Sequence, residues 1–170
     1  DSIRTIEIEA QPVPEVKVND DAKICFGDTM MLNAIVTPSD YTYDLTWTPG
    51  ESLDDAKVSN PIFTANKVGD VELTFVAVSS ANCSDTDKVT LTVFPAEFLT
   101  VSNDTAICPS DSVRLSLTTV GASSFAWSPD LNINDTKGLD PIVWPYTTQT
   151  YYVYGLDTNG CSDTAMVRVT

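Results

Sequence analysis

Histidine is missing from this chain of 170 residues, which removes the commonest general base together with the Ser-His and Cys-His nucleophile pairs. Basic residues are scarce as well, 9 Lys and Arg against 24 Asp and Glu, for a formal charge of −15. Phosphate binding depends on Lys and Arg, so nucleic acid and anionic membranes are repelled. Long apolar runs are lacking too: none approaches the roughly 18 residues of a membrane span, and the start DSIRTIEIEA has neither region of a signal peptide. The expectation is a soluble chain without direct membrane insertion, either mature or cut from something larger. Closely spaced cysteines are the last absence, since Cys25, Cys83, Cys108 and Cys161 are each at least 25 residues from the next. A structural zinc site favours two close pairs, so two disulfides and an oxidising compartment fit better.

What the chain does have is hydrophobic content, 42%, too high for a disordered acidic tail. That content is laid out with period two. Met30, Leu32, Ala34 and Val36 alternate with mostly polar neighbours, as do Tyr43, Leu45 and Trp47, then Val71, Leu73, Phe75 and Ala77, then Val89, Leu91 and Val93. Turn clusters such as TPSD, TPGESLDD and SSANCSD separate these runs.

Sliding the chain against itself by 83 positions lays TIEIEAQPVPEVKVNDDAKIC (5–25) on KVTLTVFPAEFLTVSNDTAIC (88–108). With small loop changes, Trp47-Thr48-Pro49 falls on Trp127-Ser128-Pro129, Pro61-Ile62 on Pro141-Ile142, and Cys-Ser-Asp-Thr (83–86) on its second copy (161–164). This is an internal repeat of about 80 residues. Its phase predicts three parts: residues 1–12 as the last strand of a preceding repeat plus a linker, and two all-β antiparallel sandwich domains, 13–95 and 96–170, of immunoglobulin-like type. Pairing Cys25 with Cys83 and Cys108 with Cys161 would staple each domain's first strand to the turn before its last. Such a bond is worth about 4 kcal/mol in the chain-entropy model.

The strings Ile-Cys-x-x-Asp-(Ser/Thr)-x-x-Leu, Trp-(Thr/Ser)-Pro, (Asn/Asp)-Pro-Ile and (Asn/Gly)-Cys-Ser-Asp-Thr, each present twice, resemble the tandem PKD-like or immunoglobulin-like repeats of secreted Bacteroidota surface proteins. Gliding-motility adhesins and other type IX secretion cargo carry such repeats. The resemblance implies export, display at the cell surface, and service as a stalk or spacer in an adhesin or filament whose partners are neighbouring repeats. The first copy departs from PKD domains in following Trp47 with TPGESL rather than an Asp-Phe-Gly-Asp-Gly-like string. The resemblance also implies O-glycans at Asp-(Ser/Thr)-apolar strings, which places candidates at Ser2, Thr29, Thr105, Ser112 and Thr164.

Paired carboxylates occur at Asp20-Asp21, at Asp54-Asp55, and at Asp85 with Asp87, but in a small sandwich these fall on turns, where Asp is favoured for local hydrogen bonding. Neither catalysis nor a cofactor is expected from them. Calcium is the better-motivated cation, with Asp20, Asp21 and Asp104 in the equivalent segments VNDDAK and VSNDTA as weak ligands against a plain turn role. Domain two carries Trp144, Tyr146, Tyr152 and Tyr154 where domain one has Thr64, Asn66, Thr74 and Val76. Tyr152 and Tyr154 alternate with the core candidates Tyr151 and Val153 and should face outward, as a glycan- or protein-binding surface or as sheet-stiffening pairs. Two further functions stay open: adhesion through those aromatics, and filament growth by strand exchange through residues 3–10.

Overall fold

The computed structural model describes residues 12–170. The chain divides into two compact units, the first ending at Val93 and the second beginning at Phe94. Apart from Pro12, the segment read as the end of a preceding repeat, with the strand-exchange residues 3–10, lies outside the described residues.

Unit 1 is built from β1 (Glu15–Val18), β2 (Ala22–Cys25), β3 (Thr29–Met31), β4 (Ala34–Thr37), β5 (Tyr43–Thr48), β6 (Ile62–Thr64), β7 (Gly69–Ser79) and β8 (Ser84–Phe94). One layer has the order β2-β8-β7-β5. In the other, β1 pairs with β4 and β3 with β6, and the amides of Leu32 and Ala34 donate to the carbonyls of Pro61 and Ser59, so the chain beyond β3 goes on pairing with the stretch just before β6. The period-two residues meet between the layers. Leu32, Trp47, Phe63, Leu73, Phe75, Val89 and Leu91 are all buried, each burial being worth roughly 1.5–3 kcal/mol for a side chain of this size.

Unit 2 repeats the plan with β9 (Leu99–Val101), β10 (Val113–Arg114), β11 (Leu117–Thr119), β12 (Ala122–Ser128), β13 (Ile142–Val143), β14 (Gln149–Asp157) and β15 (Ser162–Val169). Its sheets are β12-β14-β15, β9 with β11, and β10 with β13, enclosing Leu115, Trp127, Val143, Tyr151, Val153 and Val167. The tryptophans are placed alike: Trp47 Nε1 donates to the Val58 carbonyl and Trp127 Nε1 to the Gly138 carbonyl, each at 3.0 Å. A buried indole N–H thereby finds the partner it needs. Both units are all-β sandwiches, as the alternation predicts.

The crossover after the first strand is not visible in the alternation. In unit 1 the chain leaves β1 in one layer and enters β2 in the other, beside β8. Unit 2 has the same step, where Thr105 bridges Val169 in parallel. There Thr105 donates to Arg168, Thr170 to Thr105, and Ile107 to Thr170, all through backbone groups. Asp21 accepts the Thr90 amide and Asp104 accepts the Arg168 amide, at 2.7 and 2.8 Å, fixing the start of each crossover segment.

This crossover corrects the expected disulfides. Cys83 and Cys108 are free thiols, whereas Cys25 and Cys161 are disulfide-bonded, so the bonds Cys25–Cys83 and Cys108–Cys161 are not formed. Cys83 sits in the turn where β8 begins, opposite Val78 and Ser79 of β7. Cys25 lies at the other end: Asp28, next to it, bonds Ala65, close to the start of β7 at Gly69, which pairs with Val93. The 11 residues of β8 separate the two ends, roughly 35 Å at the usual strand rise. A disulfide requires Cα atoms about 4.4–6.8 Å apart. In unit 2 the 8 residues of β15 keep Cys161 from Cys108 in the same way, roughly 27 Å.

Candidate functional site

The repeated Cys-Ser-Asp-Thr string is structural, and its aspartate explains why. In unit 1, Asp85 Oδ2 accepts the Val16 amide of β1 at 2.7 Å, and Asp87 Oδ2 accepts the Val18 amide at 2.9 Å. In unit 2, Asp163 Oδ2 accepts both the Phe98 and Leu99 amides at 2.7 Å, while its Oδ1 accepts the Thr164 amide. A carboxylate on the last strand thus ties down the first strand of the same module, with charge-assisted bonds of the stronger class. The residue before each cysteine has positive φ, 60° at Asn82 and 88° at Gly160, which is why only Asn and Gly stand there.

The other carboxylate candidates are similarly engaged. Asp54 Oδ1 accepts the Asp55 and Ile62 amides, and Asp55 Oδ1 accepts the Lys57 amide. In unit 2, Asn134 and Asp135 hold Ile142 and Lys137 in the same manner. Asp21 and Asp104 each hold a strand amide, and the neighbouring Asp20 is exposed. Among the described residues no group of three or more His, Cys, Asp or Glu side chains is placed to hold a metal ion.

The site with the chemistry of a binding surface is the outer face of the β12-β14-β15 sheet. Along β14, Tyr152, Tyr154 and Leu156 point away from the core while Tyr151 and Val153 are fully buried. The two tyrosine rings stack with centroids 6.2 Å apart and planes 22° from parallel. Tyr152 is 37% exposed and Tyr154 52%, so part of each ring is open to solvent. Beneath them, the Tyr151 hydroxyl donates toward the carbonyls of Leu131 and Asn132 at 3.1 and 3.3 Å, anchoring the strand. Burial pushes the Tyr151 phenol above its ordinary pKa.

Cross-strand register supplies the rest of the surface. Tyr152 lies between Ser128 and Met166, Tyr154 between Ala126 and Thr164, and Leu156 between Ser124 and Ser162. The result is an apolar column edged by small side chains, several of them hydroxylated. A shallow groove of about 360 Å³ runs beside Tyr154 and Leu156, with Ser124, Ala126 and Ser162 on its walls. The matching face of unit 1 is unlike it: Thr74 and Val76 stand where the tyrosines are, and Lys88 there forms an ion pair with Glu72 at 2.7 Å.

Of the four aromatics singled out in the sequence, the structure brings two together. Trp144 and Tyr146 are exposed but follow β13, in the other layer, and among the described residues Tyr152 and Tyr154 form the ring contact of this unit. Leu156 and Met166 join the surface without having been singled out. Alternation alone identifies Leu156, whereas Met166 requires the β14–β15 register. Of the glycan candidates, Thr29, Ser112 and Thr164 are exposed, Thr105 is half-buried, and Ser2 lies outside the described residues.

No family model matches the chain, and no curated protein does. Many solved structures are similar in fold. The insect immune protein hemolin is 11% identical, with a TM-score of 0.51 over 96% of this chain and 47% of that one. The Ig1-2 module of the Drosophila receptor protein tyrosine phosphatase DLAR is 12% identical over 93% and 98% of the two chains, with a TM-score of 0.40. A Bacteroides ovatus protein of a mixed-linkage glucan utilization locus, SGBP-B, solved with a mixed-linkage heptasaccharide, is 17% identical over 94% of this chain and 48% of that one, with a TM-score of 0.39. The chain spans about half the length of the hemolin and SGBP-B structures. The likeness to hemolin is one of fold, and it makes the two units tandem immunoglobulin-like β-sandwiches.

Proposed function

We propose that the two modules are mechanical spacers of a secreted, cell-surface protein, with no catalytic role. One observation carries this reading: the crossover strand runs parallel to the last strand, seen at Thr105 and Val169. Tension applied at the two termini of a module pulls such parallel neighbours in opposite directions along their length. Their hydrogen bonds are then loaded together rather than opened one at a time. The Asp104–Arg168 and Asp163–Leu99 ties lie on the same load path. The presence of half-cystines supports an oxidising, extracellular setting, and the acidic charge keeps crowded stalks apart.

Single-molecule stretching of the chain tests this. Two resolved unfolding events are expected, and Thr105→Pro, which removes the amide donated to Arg168, lowers the force of one of them. Equal forces before and after the substitution would sink the spacer reading.

The tyrosine face supports a second reading, adhesion to glycan or protein, because partly exposed stacked rings edged by hydroxyls suit a flat sugar face or an apolar partner. Glycan-array and cell-binding measurements with Tyr152→Ala and Tyr154→Ala decide it. Binding that the substitutions leave untouched argues against this face, and no binding at all ends the idea. Membership of type IX cargo and O-glycans at Thr29, Ser112 and Thr164 belong to the same proposal, and mass spectrometry of protein from its native host tests the glycans.

A further inference from the structure

The turn between β14 and β15 reads Asp157-Thr158-Asn159-Gly160-Cys161 and holds an Asn-Gly dipeptide that occurs once in the chain. It is a three-residue hairpin loop in which Gly160 takes a φ of 88°, a conformation that suits glycine. Thr158, Asn159 and Gly160 are all exposed. The matching turn of unit 1, Ser79-Ser80-Ala81-Asn82-Cys83, closes with the same backbone bond: Ser79 donates to Cys83 at 2.8 Å, as Asp157 does to Cys161 at 2.9 Å. Unit 1 has Ala81 in place of Asn159 and Ser79 in place of Asp157. The difference has chemical weight, because an Asn side chain followed by glycine is open to attack by the next amide nitrogen. No side chain shields that nitrogen, and a Cβ placed on Gly160 would meet nothing within 4 Å beyond its chain neighbours. The Gly160 N–H is loosely held as well, donating to the Asp157 carbonyl at 3.4 Å. The group it would attack is held more firmly. Asn159 Nδ2 donates to Asp157 Oδ2 at 3.0 Å, and the Asn159 and Cys161 amides both donate to Oδ1 at 2.8 Å.

We propose that Asn159 is a site of spontaneous deamidation, and that Asp157 restrains the reaction by clasping the Asn159 side-chain amide. In the reaction the Gly160 nitrogen loses its proton and bonds to Asn159 Cγ. The Cγ–Nδ2 bond breaks, and the departing nitrogen takes up a proton and leaves as ammonia. The ring so formed is a succinimide. Water, the one co-reactant, then adds to either ring carbonyl. Opening on one side restores the original peptide link and gives aspartate; opening on the other routes the main chain through Cγ and gives isoaspartate. Ring closure requires the side-chain amide to leave the Asp157 carboxylate, so that charge-assisted bond opposes it. The product turns the clasp into its opposite: a donor facing Asp157 Oδ2 becomes a second carboxylate, and like charges meet where a hydrogen bond stood. Isoaspartate also lengthens the loop by one backbone atom. A molecule so changed has a weakened unit 2 and an unaltered turn in unit 1, so the two modules age unequally. The chemistry does not depend on the modules acting as spacers.

Incubation of the 170-residue chain at mildly alkaline pH, followed by reduction and tryptic mapping, tests this, because Asn159 is the sole asparagine of peptide 138–168. Chromatography with mass spectrometry separates the Asn, Asp and isoaspartate forms. The folded wild type is expected to react more slowly than the urea-unfolded chain by about tenfold or more, the scale of one hydrogen bond to a charged group. Asp157→Ser, which copies Ser79 of unit 1 and so keeps a hairpin the fold already uses, should recover most of that factor, and Asp157→Ala the same. Emission from the buried Trp127 shows that each variant is folded. A folded wild type as fast as the unfolded chain, or folded variants as slow as the wild type, would overturn the proposal. Aged wild type should also melt unit 2 at a lower temperature, while aged Asn159→Ala, which copies Ala81, should melt as it did when fresh. An unchanged melt of fully converted wild type would overturn the unequal ageing.

Discussion

Asp163 holds Leu99: the carboxylate of this second residue of β15 accepts the amide that opens β9, at 2.7 Å, and the Phe98 amide at the same distance. Residues 64 and 65 positions apart are thereby tied, and the first strand of the module is anchored to its last.

Replacing Asp163 with Ala leaves two half-buried amides without their acceptor. An expected loss of about 2–6 kcal/mol follows from a cost of about 1–3 for each unsatisfied group. Urea titration should show it in one transition only, and Asp85→Ala, which frees the Val16 amide alone, should cost less.

Asp157 makes unit 2 sensitive to acid. Desolvation raises its pKa, but hydrogen bonds from the Asn159 side chain and from the amides of Cys161, Asn159 and Gly160 outweigh this and hold the carboxyl below its ordinary value. A lowered folded pKa gives stability that is complete above the unfolded value of about 3.9 and is lost as pH falls through the lower folded value. Unfolding of the wild type between pH 5 and pH 2 should therefore show an acid-dependent component that Asp157→Asn lacks.

Trp127→Phe removes the hydrogen bond to Gly138 and part of a buried indole. A loss of about 2–3 kcal/mol is expected, from the bond and the partly emptied site. Trp47→Phe should match it in unit 1, where the Val58 carbonyl loses the same donor. Calorimetry of each variant, with the other module as internal reference, checks both.

Tyr152→Ala and Tyr154→Ala should cost stability only on the scale of cross-strand pairs, about 0.2–1 kcal/mol each, because the rings are partly exposed and stack mainly on one another. Thermal melts showing a loss above about 2 kcal/mol would mean that the face serves packing rather than recognition.

The residues differed in how much they disclosed. Trp47, Phe75, Val89 and Tyr151 announced their burial through alternation, and the doubled strings announced two copies of one module. Turn positions such as Asn82 and Gly160 were also legible, since positive φ restricts their chemistry. The cysteine geometry was not. Val18 and Ile24 are separated by only a few residues and both pack on one core, so nothing in their spacing reveals that the chain changes layers between them. That change carries Cys25 to the pole opposite Cys83. The tyrosine face was half legible for a related reason: Tyr152, Tyr154 and Leu156 share a strand, while Met166 enters through pairing with another.

The carboxylate on each last strand closes its module on itself: Asp85 reaches Val16 and Asp163 reaches Leu99. The first strand of a module is thereby bound to the part of the chain made last, so it belongs to the same cooperative unit and frays only when that clasp opens.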